Sequence, residues 1–261
     1  MKIILCDTNE AITRFWRELI PLSTPNCDLS IKIFNGTLNS LLDEERRLNT
    51  TRRVNFAVVS PGNSFGYLGG GFDLALQRQF GGKSFEKWFR NQLGNRYYPV
   101  GSTAVVNISN YEELKDCLVK YIVYCPTMPT PRNPVYDVSR PLETGYGNVF
   151  NATWNVLTNT PGDVDSLIIP GMCSGYAGVP EQISCKSMAF AIRLFMLSDL
   201  ISDELKNVLI MYFLGHPYEP FFPKSCKEEC VQSGINLQTL RKFDVLKDSI
   251  DDILPVKLKR E

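Results

Sequence analysis

The feature that most constrains this chain is a repeated alternation. Short apolar runs rich in β-branched residues are followed by stretches in which apolar residues recur every three or four positions. Runs of the first kind fall at residues 2–6, 29–34, 55–60, 103–108, 121–125, 166–170 and 208–213 and read as strands. Helical period occupies 11–20, 38–48, 73–80, 84–93, 149–157, 180–198, 225–233 and 248–254. Strands interleaved with helices bury their apolar faces best as a layered α/β domain. Runs such as Leu167-Ile168-Ile169 are apolar without alternation, so helices are expected on both faces of the sheet.

Prolines 126, 129, 131, 134 and 141 remove backbone donors and make 126–141 a loop. It is long for a connection inside a compact domain, and such loops are usually functional lids or disordered links. One series of strands runs through the whole chain, so 1–261 reads as a single domain with a polar, helical tail from about Lys224. Its 261 residues, 44% of them hydrophobic, suffice for a large core. Lys+Arg 28 against Asp+Glu 28 leaves no net charge, so no global field draws the chain to nucleic acid or a membrane surface. Any anionic ligand must be held locally. No apolar run is long enough to span a bilayer, and Met1-Lys2-Ile3-Ile4-Leu5 meets Cys6-Asp7 too soon for a signal-peptide core. The expected location is inside the cell, in cytoplasm and nucleus. Eight scattered cysteines (6, 27, 117, 125, 173, 185, 226 and 230) read as free thiols. Cys226 and Cys230, with His216 upstream, lack a fourth ligand, so neither metal nor cofactor is predicted. The sequence assigns no oligomeric state.

The chemistry is expected in two turns. After the strand at 55–60 comes Ser60-Pro61-Gly62-Asn63-Ser64-Phe65-Gly66-Tyr67-Leu68-Gly69-Gly70-Gly71-Phe72-Asp73, and then a helix. In open α/β sheets ligands sit at the carboxyl ends of the strands, and glycines there let amides approach an anion. Gly69-Gly70-Gly71 before a helix N-terminus fits a phosphate cradle, or simply a tight turn. A second turn of the same kind, Gly171-Met172-Cys173-Ser174-Gly175-Tyr176-Ala177-Gly178, follows Leu167–Pro170 and leads into the long helix. Two such units can grip a diphosphate between backbone amides without using Lys or Arg.

Other motifs fail on spacing. Gly82-Lys83-Ser84 ends like a P-loop, but Gln77 stands where the first glycine belongs. Cys125 to Arg132 is one residue too long for the cysteine–arginine loop of thiol phosphatases. Asp163-Val164-Asp165 precedes its strand and reads as a polar turn. Gly62-Asn63-Ser64-Phe65-Gly66 matches the nucleophile elbow of serine hydrolases, with His216 late in the chain. An elbow turns directly into its helix, whereas here the chain continues to Gly71 first.

Taken together, the two loops resemble those of the macrodomains, a family that binds ADP-ribose and its derivatives. Asn63 with Gly69–Gly71, Phe72 and Asp73 is similar to the family's first binding loop, and Ser174-Gly175-Tyr176-Ala177-Gly178 to its phosphate-holding loop. More closely, from Lys2 through the tail, the chain resembles fungal ADP-ribose-1″-phosphate phosphatase-like macrodomains. The resemblance implies a three-layer α/β/α fold with a central mixed sheet, and ADP-ribose or ADP-ribose-1″-phosphate as ligand. It implies that Asn63 meets the distal ribose and that Asp73 stands near its reacting end. A base role is expected of Asp73, a carboxylate at a helix N-terminus that the dipole keeps ionised or that serves as a helix cap. Gly62 and Ser64 flank Asn63, and the amides of 69–72 and 174–178 hold the diphosphate. Phe213, at the end of the strand expected at 208–213, matches an adenine-stacking position, or is a core phenylalanine. Thr37 stands where the family often has an acid for adenine, leaving Asp7 or Asn9 as candidates; Ala177 and Ser60 also depart from the family pattern. The rival functions are a binding module without turnover, an ADP-ribosyl or O-acetyl-ADP-ribose hydrolase and, more remotely, a serine hydrolase using Ser64.

Overall fold

The computed structural model describes residues 1–22, 29–49, 54–114, 117–197, 200–217 and 219–255. Cys27 and the end of the helix expected at 180–198 lie outside the described residues.

Six strands form one sheet: β1 (Lys2–Asp7), β2 (Ser30–Asn35), β3 (Phe56–Ser60), β4 (Ala104–Asn107), β5 (Val119–Tyr124) and β6 (Ser166–Ile169). Their order is β2-β1-β6-β3-β5-β4, with every pairing parallel except β4 on β5. Because side chains alternate across a strand, the sheet feeds two cores. Ile3, Leu5, Ala57, Val59, Leu167 and Ile169 face one, and Ile4, Cys6, Phe56, Val58 and Ile168 the other. On the first side lie α1 (Glu10–Leu19), α5 (Asn148–Asn159), α6 (Glu181–Met196) and α7 (Asp203–Phe213). On the second lie α2 (Leu38–Leu48), α3 (Gly71–Phe80) and α4 (Gly82–Gln92). The architecture is the expected α/β/α sandwich around a mixed sheet.

The seventh expected strand is a helix. Residues 208–213 complete α7, whose buried Leu205, Val208, Leu209, Tyr212 and Phe213 repeat at helical spacing. Ser202 caps it by accepting the Leu205 amide, and Asp203 and Glu204 occupy its first turn. Those start signals outweigh the β-branched look of Val208-Leu209-Ile210. The helix expected at 248–254 is a single short turn, Ile250–Asp252.

The tail is part of the core rather than a polar appendage. Cys226 and Cys230 on α8 (Lys224–Gln232) and Leu240 on α9 (Leu237–Lys242) are buried with Ile250, Ile253 and Leu254. Lys186 of α6 donates to the carbonyls of Val245 and Asp248, both at 2.6 Å. Among the described residues no group of three or more His, Cys, Asp or Glu is placed to hold a metal ion, and no helix is long and apolar enough to cross a membrane.

Candidate functional site

Parallel pairing brings the carboxyl ends of five strands to one edge, where a cleft of about 760 Å³ opens. Its walls come from the segments after β1 (Asp7, Thr8, Asn9), β2 (Gly36, Thr37), β3 (Pro61 to Asp73), β5 (Thr127 to Arg132) and β6 (Pro170 to Ala177). Both glycine turns therefore face the same cavity. They also touch, because a Cβ built on Gly70 would lie 2.6 Å from the Tyr176 ring.

Gly62, Asn63, Gly69, Gly70, Gly71, Phe72, Asp73, Ser174, Gly175, Tyr176 and Ala177 all line this cleft. Three expected residues do not. Ser64 is fully buried behind the loop, with its amide on the carbonyls of Met128 and Pro129. Gly178 turns away into the next segment at φ +79°. Phe213 ends α7 in the core, 0% exposed and stacked on Phe190 at 4.1 Å, so its ring has no face left for adenine. The serine-hydrolase pairing is absent: Ser64 lacks the positive φ of an elbow, and His216 is exposed beyond α7.

The first loop is built around two buried carboxylates. Asp73 is 6% exposed and is the third residue of α3, whose cap is Gly70. It is therefore not the capping residue. Its Oδ1 accepts from the Ser60 hydroxyl at 2.8 Å, and its Oδ2 lies 2.8 Å from where a Cβ on Gly62 would stand. A side chain at position 62 would displace the carboxylate. Burial pushes the Asp73 carboxyl up to about 7, the Ser60 bond draws it down and the charge of Glu86 adds to the rise. Desolvation works against the ionised form that the helix N-terminus favours. Glu86, also buried, accepts from the Leu68 amide at 2.9 Å and from Gln77 at 2.7 Å, which fixes the start of the glycine run.

Asn63 lines the cleft, but its amide organises its own loop. Nδ2 donates to the Tyr67 carbonyl at 2.8 Å, and Oδ1 accepts from the amides of Phe65 and Tyr67 at 3.2 and 3.4 Å. The Tyr124 hydroxyl donates to the Asn63 carbonyl and accepts from the Gly66 amide. Beyond it, Leu74 makes the first backbone bond of α3, to the Gly70 carbonyl. The amides of Gly71, Phe72 and Asp73 are left at a helix N-terminus that opens on the cleft. Gly71 takes φ +53°, a conformation that favours glycine. The second loop closes on itself through Val179 to the Cys173 carbonyl and Gly178 to the Gly175 carbonyl.

At the β1–β2 end, Asp7 accepts from the amides of Asn9 (2.8 Å) and Gly171 (3.1 Å). Asn9 is occupied, capping α1 through Ala11 and donating to Glu181 at 2.8 Å. The Thr37 hydroxyl is committed to capping α2. The cleft thiols Cys6 and Cys173 are both pushed up to about 12 by burial, so neither is a thiolate near neutrality.

Sequence reasoning missed the contribution of the proline segment. Thr127 donates through its amide to the Gly62 carbonyl and through its hydroxyl to the Pro61 carbonyl; Val135 and Tyr136 donate to the Ala177 carbonyl. The segment straps the two glycine loops together, and the clustering of Pro129, Pro131 and Pro134 was the signal that it holds a fixed path.

Residues 1–260 match the family described as Macro-like domain. The chain belongs to that family. An uncharacterised protein of Aquifex aeolicus is 28% identical over 139 residues, 53% of this chain and 73% of its own length. Among solved structures, the macrodomain of Mycobacterium tuberculosis DarG is similar at 16% identity and TM-score 0.40, covering 52% of this chain and 80% of its own. The Oceanobacillus iheyensis macrodomain with ADP is similar at 18% identity and TM-score 0.43, covering 57% and 73%. As a Macro-like domain, the chain carries α7 to α9 and the tail within one matched unit.

Proposed function

We propose that this Macro-like domain binds ADP-ribose and hydrolyses ADP-ribose-1″-phosphate to ADP-ribose and phosphate. The observation that carries the reading is the shared cleft. Two amide-lined glycine loops face one cavity that Asp73 also lines, a carboxyl whose proton equilibrium is centred near neutral pH. The loop amides hold the diphosphate, with the N-terminus of α3 favouring its charge. Asp7 is the candidate for adenine: its carboxylate lines the cleft, and each oxygen, bonded to one backbone amide, keeps lone-pair capacity for a further donor.

In the hydrolysis a water attacks the terminal phosphorus and gives a proton to Asp73. The bond from phosphorus to the ribose oxygen breaks, and that oxygen leaves carrying the proton as a hydroxyl. Donors aimed at the phosphoryl oxygens stabilise the charge that develops. The protonated state of Cys6 and Cys173 favours water over a thiolate as nucleophile. Phosphate release from ADP-ribose-1″-phosphate tests the reading; turnover is expected in the wild type and lost in Asp73→Asn. Unchanged turnover in that variant rejects the role.

One observation favours a second reading, ADP-ribose binding without turnover: the Asn63 amide is spent on its own loop instead of facing the ribose. Saturable ADP-ribose binding with no phosphate release would select it. Release of ADP-ribose from modified protein or from O-acetyl-ADP-ribose would instead select the hydrolase alternative.

A further inference from the structure

The charged side chains lining the cleft among the described residues are Asp7, Asp73 and Arg132. Arg132 is the only cation of the three. A phosphate ester entering this cavity meets two carboxylates, so one opposing charge decides whether a doubly charged terminal phosphate is accepted. Another arginine near the first loop, Arg90, is engaged: its guanidinium lies 3.9 Å from the centre of the Tyr67 ring and donates to the Phe65 carbonyl. Among the described residues Arg132 makes no hydrogen bond or ion pair, and it is exposed and lines the cleft.

Its backbone is also unusual. Arg132 takes φ +65° directly after Pro131, the pattern of a turn whose third residue is ordinarily Gly or Asn. Strain of this kind collects at functional positions when the surroundings enforce it, and here they do. On one side of Arg132, Thr127 and Met128 are bonded to Gly62, Asn63 and Ser64; on the other, Val135 and Tyr136 are bonded to Ala177. The first anchor is beside Asp73, because Gly62 abuts its carboxylate.

We propose that Arg132 is the cationic partner of the substrate's terminal phosphate and sets a preference for the phosphorylated ligand over ADP-ribose itself. The inference rests on the function proposed above and assigns the group that neither glycine loop supplies. The diphosphate is served by backbone amides, which carry no net charge; the terminal phosphate at the Asp73 end is served by a guanidinium that presents paired donors.

The test is calorimetric binding of ADP-ribose and ADP-ribose-1″-phosphate to the full chain, made in an Asp73→Asn background so that the ester is not consumed. Arg132→Gln is expected to weaken binding of the ester about tenfold or more, as loss of a charged hydrogen bond does, and ADP-ribose less than about twofold. Arg132→Lys should restore part of the difference, and raised salt should shrink it. In protein carrying Asp73, Arg132→Gln should raise KM for the ester with the unfolding temperature unchanged. Equal losses for both ligands would move Arg132 to the diphosphate and overturn the proposal, as would no loss for either. Failure of the wild-type chain to bind ADP-ribose would overturn the ADP-ribose reading and this inference with it, a result distinct from any in the Arg132 series.

Discussion

At the scale of single residues, the proton of Asp73 couples stability to chemistry. Folding raises its carboxyl from an ordinary 3.8 to about 7, mainly through burial. Between those values the folded chain holds a proton that the unfolded chain has lost, so this group's contribution to stability falls as pH rises and reaches its full cost above about 7. Asp73→Asn is therefore expected to raise the unfolding temperature at pH 8, by a free energy of a few kcal/mol. The advantage should vanish below about pH 4; thermal unfolding across that range measures both. Catalysis has the opposite slope. The rate of phosphate release, as kcat/KM, should climb with pH through about 7 as the base ionises, and a flat profile would contradict the base role. Gly62→Ala probes the same carboxylate sterically. Its methyl would stand 2.8 Å from Asp73 Oδ2 and 3.3 Å from the Tyr124 ring, so activity should fall at least about tenfold while ADP-ribose still binds.

At the scale of elements, the two loops make separable predictions. Gly175 lines the cleft, has no positive φ, and a Cβ built on it meets nothing within 4 Å. Gly175→Val should fold normally and lose ADP-ribose binding, read by calorimetry beside an unchanged unfolding temperature. Gly71 differs, because φ +53° strains any other residue, and Gly71→Ala should lower stability by about 1 kcal/mol. This level is also where the sequence was most and least informative. Three of the six strands were plainest because Ile3 to Cys6, Phe56 to Val59 and Leu167 to Ile169 are buried on both faces and read as continuous apolar runs. The glycine turns were legible because loops after parallel strands open on a common edge. Residues 208–213 were misread because a short apolar run has no period of its own. Ser202-Asp203-Glu204 carried the helix start, and the helix they begin ends with Phe213 in the core instead of at the cleft. The engagement of Asn63 with Tyr67, and the desolvation of Asp73, depend on packing that no local pattern reports.

At the scale of the whole molecule, a strap and a tail lock the cleft to the sandwich. The tail is held by Lys186, whose ammonium donates to Val245 and Asp248, and by Arg193, paired with Asp251 at 2.7 Å. Lys186→Met would leave two carbonyls without that donor and should cost about 1–3 kcal/mol of stability. It should leave ADP-ribose affinity unchanged, because no described residue of the tail lines the cleft. The central claim remains that the loops around Gly70 and Gly175 form a single diphosphate grip. Titration calorimetry of the intact chain with ADP-ribose tests it most directly: one saturable site per chain is predicted, abolished by Gly175→Val. Absence of binding, or binding that Gly175→Val leaves intact, would contradict it.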